Sequence, residues 1–271
     1  MTAKNQVAKK EETSLVLDDR PDWMKDGNRG SEEVSSNDIT LPRLQIIQDL
    51  SPQHKKNKPE YIQDAEVGDF FNTASNELYK DEVMVIPVYF RTEYIIWKDQ
   101  KAGGGFFGAF DSEAAAVDEV KKLIADGENK DDLEIVDTSV HYVILVKGGT
   151  ANEPIMEQAV ISMSKSQQKV SRNWNTMIKM AGGDRFSRVY TLSVVEDANK
   201  AGQEFMNWKV KPKGYVSKAM YEFGEQTYES VKSGAVKADH TKTASNDDEV
   251  VTSAPKADGK GKGGDFDEEF A

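Results

Sequence analysis

The chain contains no cysteine, three histidines and no apolar run of about 18 residues, the length that a membrane-spanning helix needs. The missing cysteine excludes disulfide scaffolds, thiol nucleophiles and Cys-ligated zinc or iron–sulfur sites. His54, His141 and His240 lie far apart, which leaves little material for a histidine metal site or a Ser-His-Asp triad, and His141 is predicted to be a packed strand residue. We therefore expect no metal and no cofactor. The N-terminus has no apolar leader segment, which favours a cytoplasmic protein without membrane contact.

The chain as a whole also lacks an excess of positive charge. Its 271 residues include 35 Lys and Arg against 47 Asp and Glu, a net charge of -12, which argues against nucleic acid as a ligand. The distribution is uneven, however. Residues 156–218 contain eleven basic and five acidic residues, a net charge of +6, whereas residues 239–271 contain nine acidic residues and four lysines. The net charge of the whole chain therefore conceals one basic stretch within acidic surroundings.

By composition, the chain divides into three parts. Residues 1–37 are predicted to form a disordered polar arm, and residues 234–271 a disordered linker with an acidic tip, because so few apolar side chains cannot offset the entropy of ordering. Residues 38–233 are expected to form the folded domain. The apolar content of 38% is enough for a core without metals or disulfides.

Two hydrophobic periodicities occur within the folded domain. Short runs rich in Val, Ile, Tyr and Phe predict strands at 69–79, 83–97, 106–110, 134–146, 155–163, 188–195 and 205–210. Helical periodicity predicts helices at 114–125, 165–181 and 218–231. Strands and helices do not alternate regularly, which disfavours a doubly wound sheet. We predict a β-rich α+β fold, an OB-type antiparallel barrel with helical insertions.

The basic residues of the central stretch are arranged on two elements. On the predicted helix 165–181, four of them share an arc of about 80° opposite the apolar stripe. On the strand FMNWKVKPK, period 2 places three lysines and one phenylalanine on the side opposite Trp208. An ordinary solvated helix face is the alternative for the first group. The candidate phosphate-binding residues are Lys165, Lys169, Arg172, Lys179, Arg185, Arg188, Lys209, Lys211 and Lys213.

A single strand also needs flat side chains on which bases stack. In the run VYFRTEYIIW, one face carries Tyr89, Arg91 and Trp97, which we take as candidates. Phe106 and Phe107 follow a glycine triplet, and Phe205 lies on the lysine side of its strand. The alternative for each ring is burial in the core.

Sequence motifs for enzymes are weak. Residues 103–108, GGGFFG, formally satisfy G-x-G-x-x-G, but they do not connect a buried strand to a helix as a dinucleotide site requires. No G-x-x-x-x-G-K-[ST] is present, and no carboxylate spacing indicates an acid–base pair. We expect a protein that is not an enzyme. A nuclease, one alternative, would need a carboxylate cluster holding Mg²⁺.

The chain ends in GKGKGGDFDEEFA, an acidic cluster punctuated by two aromatic residues. This tip resembles the C-terminal peptide of bacterial single-stranded-DNA-binding proteins, although here Phe270 precedes Ala271 and no proline is present. A basic β-rich body with such a tail is similar to bacteriophage single-stranded-DNA-binding proteins, and LPRL at 41–44 with Ser51-Pro52 looks like a phage replication protein. The resemblance implies an OB-fold and a partner-binding tail made of Asp265, Phe266, Asp267, Glu268, Glu269 and Phe270.

These patterns together predict a sequence-tolerant binder of single-stranded DNA in phage replication or recombination, located in the host cytoplasm. The acidic tip would compete with DNA for the basic surface and recruit replication or recombination proteins. A homo-oligomer is compatible with the sequence. Two alternatives stay open: a generic solubilising tail at the tip, and, for the whole chain, a virion component or an acidic DNA-mimicking inhibitor of a host enzyme.

Overall fold

A computed structural model describes residues 29–34, 41–199 and 202–234. Within them the fold is β-rich α+β with antiparallel sheets, which confirms the predicted class. The helices are α1 (Glu113–Ala125), α2 (Gln168–Ala181) and α3 (Lys218–Lys232). The strands are β1 (Leu44–Ile46), β2 (Phe70–Asn72), β3 (Leu78–Tyr79), β4 (Glu82–Lys98), β5 (Gly105–Phe110), β6 (Leu133–Gly149), β7 (Pro154–Ser164), β8 (Arg188–Ala198) and β9 (Glu204–Tyr215).

The main sheet has the order β7-β6-β4-β8-β9, and every neighbouring pair is antiparallel. Strand β4 is 17 residues long and pairs with β6 along most of its length. Its other edge pairs first with β8 and then with β5. Strand β9 is thus an edge strand of the main sheet, and it carries the lysine-rich run of the sequence.

A second, three-stranded sheet of order β1-β2-β3 connects the two edges of the main sheet. Next to β1, Arg43 forms a parallel bridge with Val160 of β7. At the other edge, the Gln48 carboxamide donates to the main-chain oxygen of Met206 on β9 and accepts from its nitrogen, both at 2.8 Å. The main sheet therefore curls in the manner of a barrel. One bridge and one side chain, instead of a continuous ladder, join its two edges to residues that flank β1.

Apolar side chains fill both faces of the main sheet. On one face, Val85, Val143 and Leu192 pack with Trp174 of α2, which is fully buried. On the other face, Ile86 and Ile144 pack beneath residues of α3. Period-2 alternation along the strands produces these two cores, and helix α2 lies on the same face as Trp208 of β9.

The helix ends follow the local signals in the sequence. The Ser112 hydroxyl accepts a hydrogen bond from the Ala115 nitrogen at 3.3 Å and caps α1 as predicted. Residues Lys165–Gln167 form a short 3-10 turn before α2, and Lys165 has a φ of 48°. Lys165 therefore precedes the α-helix instead of continuing its basic face.

No helix among the described residues is both long and apolar enough to cross a membrane. Nearly all of the predicted arm, and the tail that includes residues 265–270, lie outside the described residues.

Candidate nucleic-acid interface

A groove of about 490 Å³ runs between helix α2 and the edge strand β9. Its floor is formed by Trp208 and Val210, which the alternation of β9 turns toward the helix. Trp208 is held in place by Phe70, whose ring centroid is 5.3 Å away at an interplanar angle of 25°. The helix contributes Val170, Asn173, Thr176 and Met177 to the wall. The groove thus combines apolar surface with two polar side chains.

Six cationic side chains surround this groove and the edge strand. All six are exposed, and none forms an ion pair with another residue in the part of the chain that the structure describes. Helix α2 carries three of them, and β9 carries the others: Lys169, Arg172, Lys179, Lys209, Lys211 and Lys213. Their charges are therefore available to an anionic ligand.

The two groups of cations lie on different faces of the sheet. Lys209 pairs in register with Ser193, and Lys211 with Thr191, on the side turned away from Trp208 and α2. The predicted alternation along β9 is therefore confirmed for Lys209 and Lys211, whereas Lys213 lies at a register shift, and the alternation separates the strand lysines from the helix cations. A polyanion that contacts both groups has to pass around the outer edge of β9.

Tyr215, at the end of β9, is an exposed aromatic that the sequence analysis missed. Its side chain is 73% exposed, and a register shift beside Val189 pairs it with Arg188. The Arg188 guanidinium carbon lies 4.4 Å from the ring centroid, and Nη2 donates to the phenol oxygen at 2.5 Å. The sequence shows an aromatic residue at the end of the lysine-rich run KVKPKGY, but the register shift takes Tyr215 out of the alternation of Lys209 and Lys211, which period 2 alone could not predict.

Two of the predicted site residues form ion pairs with carboxylates: Arg91, a stacking candidate, and Lys165, a phosphate-binding candidate. Arg91 forms an ion pair with Glu93, which is only 2% exposed, and its guanidinium lies 5.7 Å from the centre of the Tyr142 ring. Lys165 pairs with Glu134 at 3.0 Å. Both cations are therefore less available to a ligand than the six around the groove.

Most of the predicted stacking rings pack against protein. Tyr89 lies 6.0 Å from Tyr142 and 6.1 Å from Tyr228 of α3. Trp97 is 7% exposed and packs at 5.3 Å on Phe106, which is half-buried, as is Phe107. Phe205 is 9% exposed. A base-stacking role for these rings stays a prediction, and their packing leaves little ring surface for a base.

Arg185 and His141 form a separate polar cluster at the other side of α2. His141 is fully buried and packs as a strand residue, as predicted. Burial first, and the neighbouring Arg185 second, lower the pKa of His141 well below its usual value. The ring is therefore neutral at pH 7, and Arg185 is half-buried beside it.

Within the described ranges, no group of three or more Asp, Glu or His side chains is placed to hold a metal ion. The carboxylate cluster that a Mg²⁺-dependent nuclease would need therefore has no counterpart in that part of the chain.

Comparison with known proteins gives one match. The model of the family described as Pam3 phage gp34-like protein matches residues 9–237. The chain belongs to this family. Searches of curated proteins and of solved structures gave no significant match. The Pam3 phage gp34-like assignment makes this a phage protein, and it covers the groove, the edge strand β9 and all three helices.

Proposed function

We propose that this phage protein binds single-stranded DNA without strong sequence preference, as a non-enzymatic component of DNA replication or recombination. The observation that supports the proposal is the set of six exposed cations without ion pairs to described residues around β9 and the α2 groove. Exposed Lys and Arg that no protein carboxylate neutralises are the side chains that release counterions when a phosphate backbone binds.

The strand would follow the edge of β9. Lys209, Lys211 and Lys213 hold phosphates on one side, and Lys169, Arg172 and Lys179 hold them on the other. Bases stack on the exposed ring of Tyr215 and occupy the groove above Trp208 and Val210. Stacking and phosphate contacts accept any base, which is why we propose sequence-tolerant binding.

The acidic tip at residues 265–270 has two proposed roles. Its carboxylates compete with DNA phosphates for the free cations, and its two phenylalanines dock into replication or recombination proteins once DNA displaces the tip. Removal of residues 239–271 is expected to tighten DNA binding and steepen its dependence on salt. Unchanged or weaker binding by the truncated chain would contradict the competition.

The decisive measurement is an oligo-dT binding isotherm at several salt concentrations. Six phosphate contacts predict a slope of log K against log salt of about -4, at about 0.7 per contact on a single strand. Replacing Lys209, Lys211 and Lys213 by Gln should reduce the slope to about -2 and weaken binding on the order of 100-fold at low salt.

A matched control separates a site from bulk charge. Lys121, Lys122 and Lys130 are exposed on α1 and in the turn before β6, so their replacement by Gln removes the same charge far from the groove. This control triple should bind like the wild type. Equal loss in both triples would overturn the interface, and no binding up to micromolar concentrations would favour an interaction protein that does not bind DNA.

A further inference from the structure

Arg185 is a guanidinium held in place by neutral groups. It follows α2 in a short 3-10 turn, Arg185–Ser187. Its Nη2 donates to the Asn175 side-chain oxygen at 2.8 Å and to Nδ1 of His141 at 3.1 Å. Its central carbon lies 5.5 Å from the centre of the Phe90 ring. Four elements thus fix the position of one cationic group.

No carboxylate among the described residues neutralises this cation. The adjacent Asp184 accepts a hydrogen bond from the Tyr221 hydroxyl instead. The Arg185 Nε is buried and donates to no described residue, and Nη1 likewise has no partner there. Burial lowers the pKa of Arg185 to about 10, as expected for a charge removed from water without a counterion. Buried charges in proteins are normally paired, so the guanidinium has unused capacity for an anion.

The neighbours of Arg185 are themselves locked. A guanidinium only donates, so Nδ1 of His141 must accept and its Nε2–H donates to the Ser171 hydroxyl at 2.8 Å. The imidazole also stacks on Trp174, with centroids 4.6 Å apart at 18°. Arg185 therefore loses little conformational freedom when a ligand binds, which favours affinity.

We propose that the Arg185 guanidinium is a preorganised phosphate-binding site, which anchors one phosphodiester of the bound strand. The inference rests on the proposed function. Nη1 is the part of the guanidinium that has neither a described partner nor full burial, and its two N–H groups can donate charge-assisted hydrogen bonds to phosphate oxygens. The turn Arg185–Ser187 leads directly into β8, whose first residue, Arg188, lies over the Tyr215 ring. The strand would thus extend from Tyr215 past Arg188 to Arg185.

Arginine side-chain NMR on the full-length protein provides a direct test. The Nε–Hε signal of Arg185, assigned by its loss in Arg185→Lys, is followed during titration with inorganic phosphate and, separately, with oligo-dT at constant ionic strength. We expect saturable shifts of this signal with both probes. Lys130→Gln, in the turn before β6, should leave the shifts with both probes unchanged.

The variants give a second readout that does not depend on one signal. Arg185→Gln and Arg185→Lys should each weaken oligo-dT binding about tenfold, and Arg185→Gln should also reduce the salt slope by about 0.7. Arg185→Lys keeps the charge but loses the Nη1 donors and the Nη2 hydrogen bonds that hold them in place, so a fully active Arg185→Lys protein would contradict a guanidinium-specific site. If Arg185→Gln does not fold, the titrations of the wild-type protein still decide.

The outcomes separate this inference from the proposed function. Oligo-dT binding without any shift of the Arg185 signal overturns the anchor and leaves DNA binding intact. A shift with inorganic phosphate alone, in a protein that binds oligo-dT elsewhere, identifies free phosphate as the ligand and overturns the assignment to the strand. A phosphate shift without any oligo-dT binding overturns the proposed function and the strand anchor together. No shift with either probe overturns the site.

Discussion

The cations around β9 and those at the junction of the two sheets differ in what surrounds them. At the junction, Lys147 of β6 bonds Glu77 and, at 3.1 Å, Glu157 of β7, while the Asn72 amide donates to the second oxygen of Glu157 at 2.6 Å. Around β9, six exposed cations have no ion pair to a described residue. Basic side chains therefore fix one sheet against the other at the junction, whereas around β9 they stay available to a ligand.

This difference explains why the net charge of -12 is a poor guide to the ligand. Acidic residues neutralise cations elsewhere in the fold, as Glu93 does for Arg91 within β4 and Asp69 does for Lys80 at 2.6 Å. Only the charges left over after this pairing act on a ligand. The local balance of paired and unpaired charge, and not the total, distinguishes the two regions.

The largest expected difference between the two regions is in DNA binding, and it concerns Tyr215, the exposed ring at the end of β9. Tyr215→Ala removes an exposed ring and should weaken oligo-dT binding about 5- to 150-fold, because one base stack contributes about 1–3 kcal/mol. The salt slope should stay unchanged, since no cation is removed. Tyr79→Ala at the junction, where Lys147 lies 5.9 Å from the ring centre, should leave DNA binding intact. Equal binding by wild type and Tyr215→Ala in fluorescence titrations would remove the stacking platform.

The reverse contrast uses Lys147. Lys147→Met leaves the Glu77 and Glu157 carboxylates near each other without their shared cation, and should lower the free energy of unfolding by about 1 kcal/mol. Urea denaturation measures the loss. Lys211→Met, which breaks no ion pair to a described residue, should unfold like the wild type but bind DNA less tightly. The contrast fails if Lys211→Met is the less stable of the two or if Lys147→Met changes the salt slope.

Local patterns predicted much of the fold but less of the interface. The alternation along β9 correctly placed Trp208 opposite Lys209 and Lys211, because a half-buried strand has a fixed period. The apolar stripe of α2 likewise identified Trp174 as a core residue. Both features depend only on neighbours in the chain.

Features that depend on distant partners were not predictable in the same way. The alternation also isolated Tyr89 and Trp97 on one face of β4, but it could not show that Tyr228 and Phe106 would cover them. Nor could it show which cations meet a carboxylate: Glu134 lies 31 positions from Lys165 in the sequence. Free and paired cations look alike until tertiary structure brings the acids near.

The last contrast concerns stability alone and uses His141, a buried neutral ring that lies outside both regions. Its pKa is depressed in the folded chain, so the unfolded chain binds a proton at a pH where the folded one does not. The free energy of unfolding should therefore decrease as pH falls through about 6.5, by up to about 1.4 kcal/mol per pH unit until the folded pKa is reached. His141→Gln, whose amide oxygen still accepts from Arg185, should lose this slope between pH 7.5 and 5.5 in urea denaturation. A pH dependence identical to that of the wild type would show that other groups cause the loss, and that the protonation state of His141 does not contribute to the stability of the Arg185 cluster.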